Sequence, residues 1–187
     1  QIHRPGPSRA VRLYAATPSQ QFRPSAGRLE QRRWPAQVRV DSGFEAGDRA
    51  SDHYDPMIAK LISHGGDRDQ ARRRLVAALD DLAISGVHHN AAFLHRVLSS
   101  PVFADAELDT RLLEKHPDLM TPAPADSDLV AVAAAGAVAQ RPATGNDPWG
   151  ALPGWRPLGP KRTLLPLRVG EPAHTVVLAH AQSRVAG

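Results

Sequence analysis

The stretch Tyr54-Asp55-Pro56-Met57-Ile58-Ala59-Lys60-Leu61-Ile62 decides how the rest of the chain is read. An aromatic, an acid and a proline make a turn signal, because proline fixes its own φ and pushes the residue before it toward extended backbone. The run that follows, Met57, Ile58, Leu61 and Ile62, is apolar and carries one internal Lys60. Its spacing fits a helical face or a continuous strand, and the period leaves both open. Gly65-Gly66-Asp67 ends the element, and Asp67 or Asp69 can cap a helix with Ala71, Leu75, Ala78, Leu79 and Leu82 on one face. Gly86 closes that unit. Asn90 can cap a second helix with Phe93, Leu94, Val97 and Leu98 on its apolar face, stopped before Pro101. A third short helix is expected from Thr110, burying Leu112 and Leu113.

Upstream, Pro5, Pro7, Pro18, Pro24 and Pro35 forbid a long helix. Val11-Arg12-Leu13-Tyr14 and Gln37-Val38-Arg39-Val40 alternate like strands, with Arg39 opposite the apolar face. Pro24-Ser25-Ala26-Gly27 and Asp41-Ser42-Gly43 signal turns. Downstream, Thr121-Pro122-Ala123-Pro124-Ala125 reads as a linker. Residues 127–139 form an Ala/Val-rich helix pattern, so apolar that it must pack on something. A Pro/Gly/Trp loop spans residues 141–160, and short strands are expected at residues 163–169 and 174–179 around Gly170-Glu171-Pro172. The pattern predicts an α+β fold. A small antiparallel sheet with packed helices covers residues 9–118, a linker residues 119–126, and a helix with an incomplete β module residues 127–187. A module of that size buries little surface, so marginal stability is expected.

The whole chain has 187 residues and a net charge of +4, carried by 20 Arg and 3 Lys against 19 Asp and Glu. With no Cys there is no disulfide framework, thiolate metal site or cysteine nucleophile. No apolar run reaches the roughly 20 residues of a membrane span. A cytoplasmic location without membrane contact is expected. The arginines are spread out and lack interleaved aromatics, which argues against nucleic acid. Arg72-Arg73-Arg74 reads as a solvated helix face. His88, His89 and His95 lack a carboxylate at ligand spacing, so no metal site is expected. Walker, Rossmann and Gly-x-Ser-x-Gly patterns are absent from the sequence.

The ordered motifs are more informative than the charge. Arg12-Leu13-Tyr14-Ala15, Phe22-Arg23-Pro24-Ser25-Ala26-Gly27, Arg39-Val40-Asp41-Ser42-Gly43 and Tyr54-Asp55-Pro56-Met57-Ile58-Ala59-Lys60 resemble the C-terminal subdomain of biotin carboxylases. His64-Gly65-Gly66-Asp67-Arg68 and Gly86-Val87-His88-His89-Asn90 continue the likeness, which covers about residues 9–115. Asp147-Pro148-Trp149-Gly150 and Gly154-Trp155-Arg156 resemble the segment that follows in 3-methylcrotonyl-CoA carboxylase α subunits. Departures occur at Ala10-Val11 and Ala16-Thr17, where the family carries acids, at Arg23 for Leu and at His89 for Thr.

The resemblance implies a ligase: part of the α subunit of a biotin-dependent acyl-CoA carboxylase, using biotin, ATP and Mg2+ in the complete enzyme. An arginine at the place of Arg39 is the family residue that stabilises the anion formed on biotin. A guanidinium suits that task because it stays charged near neutral pH. Tyr54, Asp55 and Pro56 are expected to fix a turn, Lys60 to form a structural ion pair, and Trp149 and Trp155 to anchor a loop. The glycine-rich phosphate cover, metal-binding carboxylates and biotin-bearing segment of the family do not occur in these residues. With Gln1 in place of Met, the chain reads as a fragment, inactive alone. Its expected partners are the ATP-binding lobe and biotin-carrier domain of the same subunit, a carboxyltransferase β subunit and other α subunits. The alternative is a non-catalytic interaction module of the same fold.

Overall fold

The computed structural model describes residues 6–122, 126–139, 162–168 and 173–179. In chain order come β1 (Ser8–Tyr14), β2 (Ala16–Thr17), β3 (Arg23–Pro24), β4 (Gly27–Arg28), β5 (Gln31–Arg33), β6 (Arg39–Ser42), β7 (Arg49–Ala50) and β8 (Met57–His64). Then follow α1 (Arg68–Asp81), β9 (Ala83–Ser85), α2 (Ala91–Ser99), α3 (Pro101–Ala104), α4 (Leu112–Lys115), α5 (Ser127–Ala139), β10 (Arg162–Arg168) and β11 (Ala173–Ala179). The chain divides into two compact units, Gln1–Pro122 and Ala123–Gly187.

The first unit is built on the segment that opened the sequence reading. That segment is a strand. Asp55 Oδ1 accepts a hydrogen bond from the Met57 amide, and the Ala15 amide donates to the Pro56 carbonyl, so the turn delivers β8 into the middle of a sheet. Tyr54 is 84% exposed and takes no part in holding it. The antiparallel order is β1-β8-β6, with β8 central. One face carries Val11, Leu13, Leu61 and Val40 into the core, where α1 packs on β1 and β8, and α2 on α1. Leu13, Leu29, Ile58, Leu61 and Leu75 are fully buried, and each such side chain contributes roughly 1.5–3 kcal/mol relative to exposure.

Helix α1 starts at Asp67, whose Oδ1 accepts from the Gln70 amide at 2.6 Å, while Gln70 Oε1 accepts from the Gly66 amide. Ala71, Leu75, Ala78 and Leu79 are its buried face, and Leu82 lies just past its end. Gly86 sits at φ +100°, and a Cβ there would lie 1.9 Å from the Arg28 carbonyl oxygen. Only glycine allows β9 to return against β5 at this point.

Several expectations are corrected. The β6 strand starts at Arg39 and includes Asp41-Ser42, which had read as a turn. Arg72 is not on a solvated face: its side chain is 15% exposed, bonded to Asp69 and to the Leu98 carbonyl, and it ties α1 to α2. Arg74 donates to the His64 carbonyl. Leu112 and Leu113 of α4 are only half-buried, and Leu119 in the following 3₁₀ turn supplies the buried contact.

In the second unit α5 packs on the antiparallel pair β10 and β11, whose register runs from Arg162↔Ala179 to Arg168↔Ala173. Val130 and Ala134, one turn apart, are buried, while Leu129 and Val132 are exposed. The expected Pro/Gly/Trp loop, with Trp149 and Trp155, lies outside the described residues.

Candidate functional site

Directly opposed residues of antiparallel strands share a face. Ala10, Ile62 and Arg39 therefore form one row across the sheet, and Arg12, Lys60 and Asp41 the next. Both rows lie on the face turned away from α1. The core side is closed by helices, whereas Ala10, Arg12, Arg39 and Asp41 remain exposed and Lys60 and Ile62 half-exposed.

Arg39 sits on edge strand β6 with its side chain 74% exposed. Its Nε donates to Asp41 Oδ1 at 2.8 Å, two residues along the same strand. That hydrogen bond, with the carboxylate's charge, raises the guanidinium pKa above its ordinary value. The pair leaves the terminal nitrogens of Arg39 without a hydrogen bond among the described residues. A fixed, permanently charged donor faces outward from a rigid sheet, the arrangement an oxyanion-stabilising group needs.

A groove of about 810 Å³ runs along the β1 side of this face. Ala10, Arg12, Tyr14 and Lys60 contribute from the sheet, and Phe22 and Leu94 from the flanking loop and α2. Phe22 has φ +58°, an uncommon left-handed conformation for a bulky residue, and it stacks edge-on against Phe93 at 5.1 Å. Asn90 also lines the groove and is 4% exposed. It occupies the expected cap position of α2, but its side chain does not cap the helix. Asn90 Oδ1 instead accepts from the Tyr14 amide at 2.9 Å, and its Nδ2 donates to the Arg12 carbonyl at 3.2 Å.

The structural ion pair expected for Lys60 does not form among the described residues. Its register neighbour Asp41 is taken by Arg39, and the neighbour on the other side is Arg12, a like charge. Neither Lys60 nor Arg12 has a side-chain hydrogen bond or ion-pair partner among the described residues. Arg12 had read only as part of a strand motif. The alternation that buries Val11 and Leu13 does place Arg12 on the other face, but its meeting with Lys60 depends on register between strands far apart in sequence.

The histidines do not converge. His95 Nε2 lies 3.1 Å from Asp80, bridging α2 to α1, while His89 is half-buried, and burial lowers its pKa below 6.5. Among the described residues no group of three His, Asp or Glu side chains is placed to hold a metal, and no helix is long and apolar enough to cross a membrane.

The chain is similar to known proteins over this first unit. The family model of the biotin carboxylase C-terminal domain matches residues 10–115, more than half of the chain. The mitochondrial propionyl-CoA carboxylase alpha chain of Homo sapiens is 44% identical over 57% of this chain and 15% of its own length. The mitochondrial methylcrotonoyl-CoA carboxylase subunit alpha of Dictyostelium discoideum is 36% identical over 81% of this chain and 23% of its own. The chain thus spans less than a quarter of either relative. Among solved structures, the biotin carboxylase domain of the Hydrogenobacter thermophilus 2-oxoglutarate carboxylase, in complex with MgADP, ADP and bicarbonate, superposes with a TM-score of 0.60 at 32% identity. That superposition covers 63% of this chain and 26% of the other. The urea carboxylase of Kluyveromyces lactis gives 0.59 at 38% identity, over 61% and 10%. The small antiparallel sheet with packed helices is the fold these proteins share with it. The chain belongs to the biotin carboxylase C-terminal domain family.

Proposed function

We propose that this chain is the C-terminal part of the biotin carboxylase in an acyl-CoA carboxylase α subunit, with Arg39 as its catalytic residue. The observation that carries this reading is the geometry of Arg39. It is exposed on an open sheet face, anchored through Nε by Asp41, with its terminal nitrogens free to donate. Those nitrogens suit a ureido oxygen that gains negative charge. Bound biotin would supply the nucleophilic nitrogen of the reaction. Arg39 would hold and orient the ring by its oxygen, and Asp41 would keep the guanidinium in place. ATP and Mg2+ do not fit the described residues, which hold neither a phosphate-cradling glycine loop nor a metal-ligand cluster. Those groups belong to the ATP-binding lobe of the same subunit.

The acyl-CoA assignment leans toward 3-methylcrotonyl-CoA. The Dictyostelium match covers 81% of the chain, more than the first unit can supply, so it reaches into the second. On this reading α5 with β10 and β11 belongs to a module that meets a carboxyltransferase β subunit, and the biotin carrier lies elsewhere in the subunit.

The test is a chimera in which this chain replaces the matching region of the Dictyostelium subunit. Bicarbonate-dependent ATP hydrolysis with free biotin is expected in the chimera, none from the 187-residue chain alone, and a severe loss in the chimera with Arg39→Met. Activity of the chain alone, or a chimera indifferent to Arg39→Met, would overturn the proposal.

A further inference from the structure

Beside Arg39 the sheet face carries a second feature, separate from the role proposed for that residue. Arg12 and Lys60 stand directly opposite each other on β1 and β8. Like charges in that position repel and cost stability. Proteins usually relieve such a pair with a nearby carboxylate. Here the adjacent carboxylate, Asp41, is bonded to Arg39, and Ala10 and Ala16 line the groove around the two cations. The rest of the lining is mainly apolar or aromatic, Val11, Tyr14, Phe22, Pro56 and Leu94, with the amide of Asn90. Phe22 is held at φ +58° to form that wall, and strain of this kind clusters at binding sites.

We infer that this groove is a docking site for an acidic polypeptide surface, with carboxylates facing Arg12 and Lys60 and an apolar side chain between Tyr14, Phe22 and Leu94. Charge complementarity selects the occupant. Two adjacent cations lining a largely apolar groove match an acidic residue next to a large hydrophobic one. They do not match a nucleic acid backbone, which needs a longer track of positive charge and exposed stacking faces. If the chain acts within a carboxylase subunit as proposed above, the remainder of that subunit supplies the surface. The inference itself rests on the groove and not on the chemistry of Arg39.

The test uses the full 187-residue chain, isotopically labelled, with amide shifts followed by NMR. The probes are a peptide alternating Glu with Leu and Phe, the same peptide with Lys for Glu, and a mixed-sequence single-stranded oligonucleotide. Saturable shifts confined to β1, β8 and Phe22 are expected with the acidic peptide alone. Arg12→Glu should weaken that binding at least tenfold. It also places a carboxylate opposite Lys60, so thermal stability should hold or rise, which separates lost binding from lost fold. Ala10→Glu, at an exposed position, should weaken binding as well. In the chimera, Lys60 should resist acylation while Lys115 remains reactive, whether or not the chimera turns over ATP. Absent shifts, equal shifts with the lysine peptide, tighter oligonucleotide binding, or unprotected Lys60 in the chimera would each overturn the inference.

Discussion

The two faces of the β1-β8-β6 sheet are made by the same strands and differ in almost every other respect. Alternate residues send Val11, Leu13, Leu61 and Val40 into a helix-covered core and Ala10, Arg12, Lys60 and Arg39 to an open surface. Moving register by one residue would exchange the two sets. Folding and binding are thus written in interleaved positions over most of the sheet; at the start of β8 Ile58 has the parity of Lys60 and is still fully buried. The core face carries a charge only at its margin, where Arg9 opens β1 opposite Ser63 with its Nε buried. The open face keeps three cations, only one of which has a carboxylate partner among the described residues.

The sharpest way to break this division is Arg39→Met. In the chimera it should lower biotin carboxylation by about 10²–10³-fold, the usual scale for removing a group that stabilises an oxyanion. The isolated chain should keep its unfolding midpoint. A stability loss matching the activity loss would erase the distinction between the faces. On the core face Leu61→Ala should cost about 2–5 kcal/mol by urea denaturation, from lost burial and the cavity left behind. A neutral result would mean that β8 is not the centre of the core.

Asn90→Ala tests the boundary between the faces. It leaves the Tyr14 amide and the Arg12 carbonyl without their partners, and a cost of about 1–3 kcal/mol is expected by the same measurement. The smallest expected effect is a pH dependence through His89. Burial lowers its folded pKa, so the unfolded chain binds the proton more readily. Stability is therefore complete above about pH 6.5, the unfolded value, and falls as the pH drops toward the depressed folded one. His89→Gln should flatten that slope between pH 7 and 5, seen as urea midpoints that no longer shift.

The sequence reading and the structure agree where the signal is local. The buried face of α1 and the Asp67 cap lie within one continuous stretch, so period and capping chemistry suffice to find them. Arg39 is singled out by an ordered motif, and the structure shows its side chain exposed and paired with Asp41. Three features escaped because they depend on partners far along the chain. Lys60 read as an ion-pair residue until register set Arg12 on one side of it and an occupied Asp41 on the other. Arg72 sits in a run of arginines that looks solvated, and only the approach of α2 buries it. Asn90 has the right residue type and position for a helix cap, yet β1 offers it better partners. Tertiary competition for a polar side chain leaves no trace in local sequence.

The bonds made by Asn90 have a further consequence. They engage the outward-facing amide of Tyr14 and carbonyls of both Arg12 and Tyr14, the main-chain groups an incoming strand would use. One asparagine thereby works as a stopper on a sheet margin that would otherwise template self-association. Growth by strand addition beside Tyr14 is shut off by one residue, through both its side chain and its main chain.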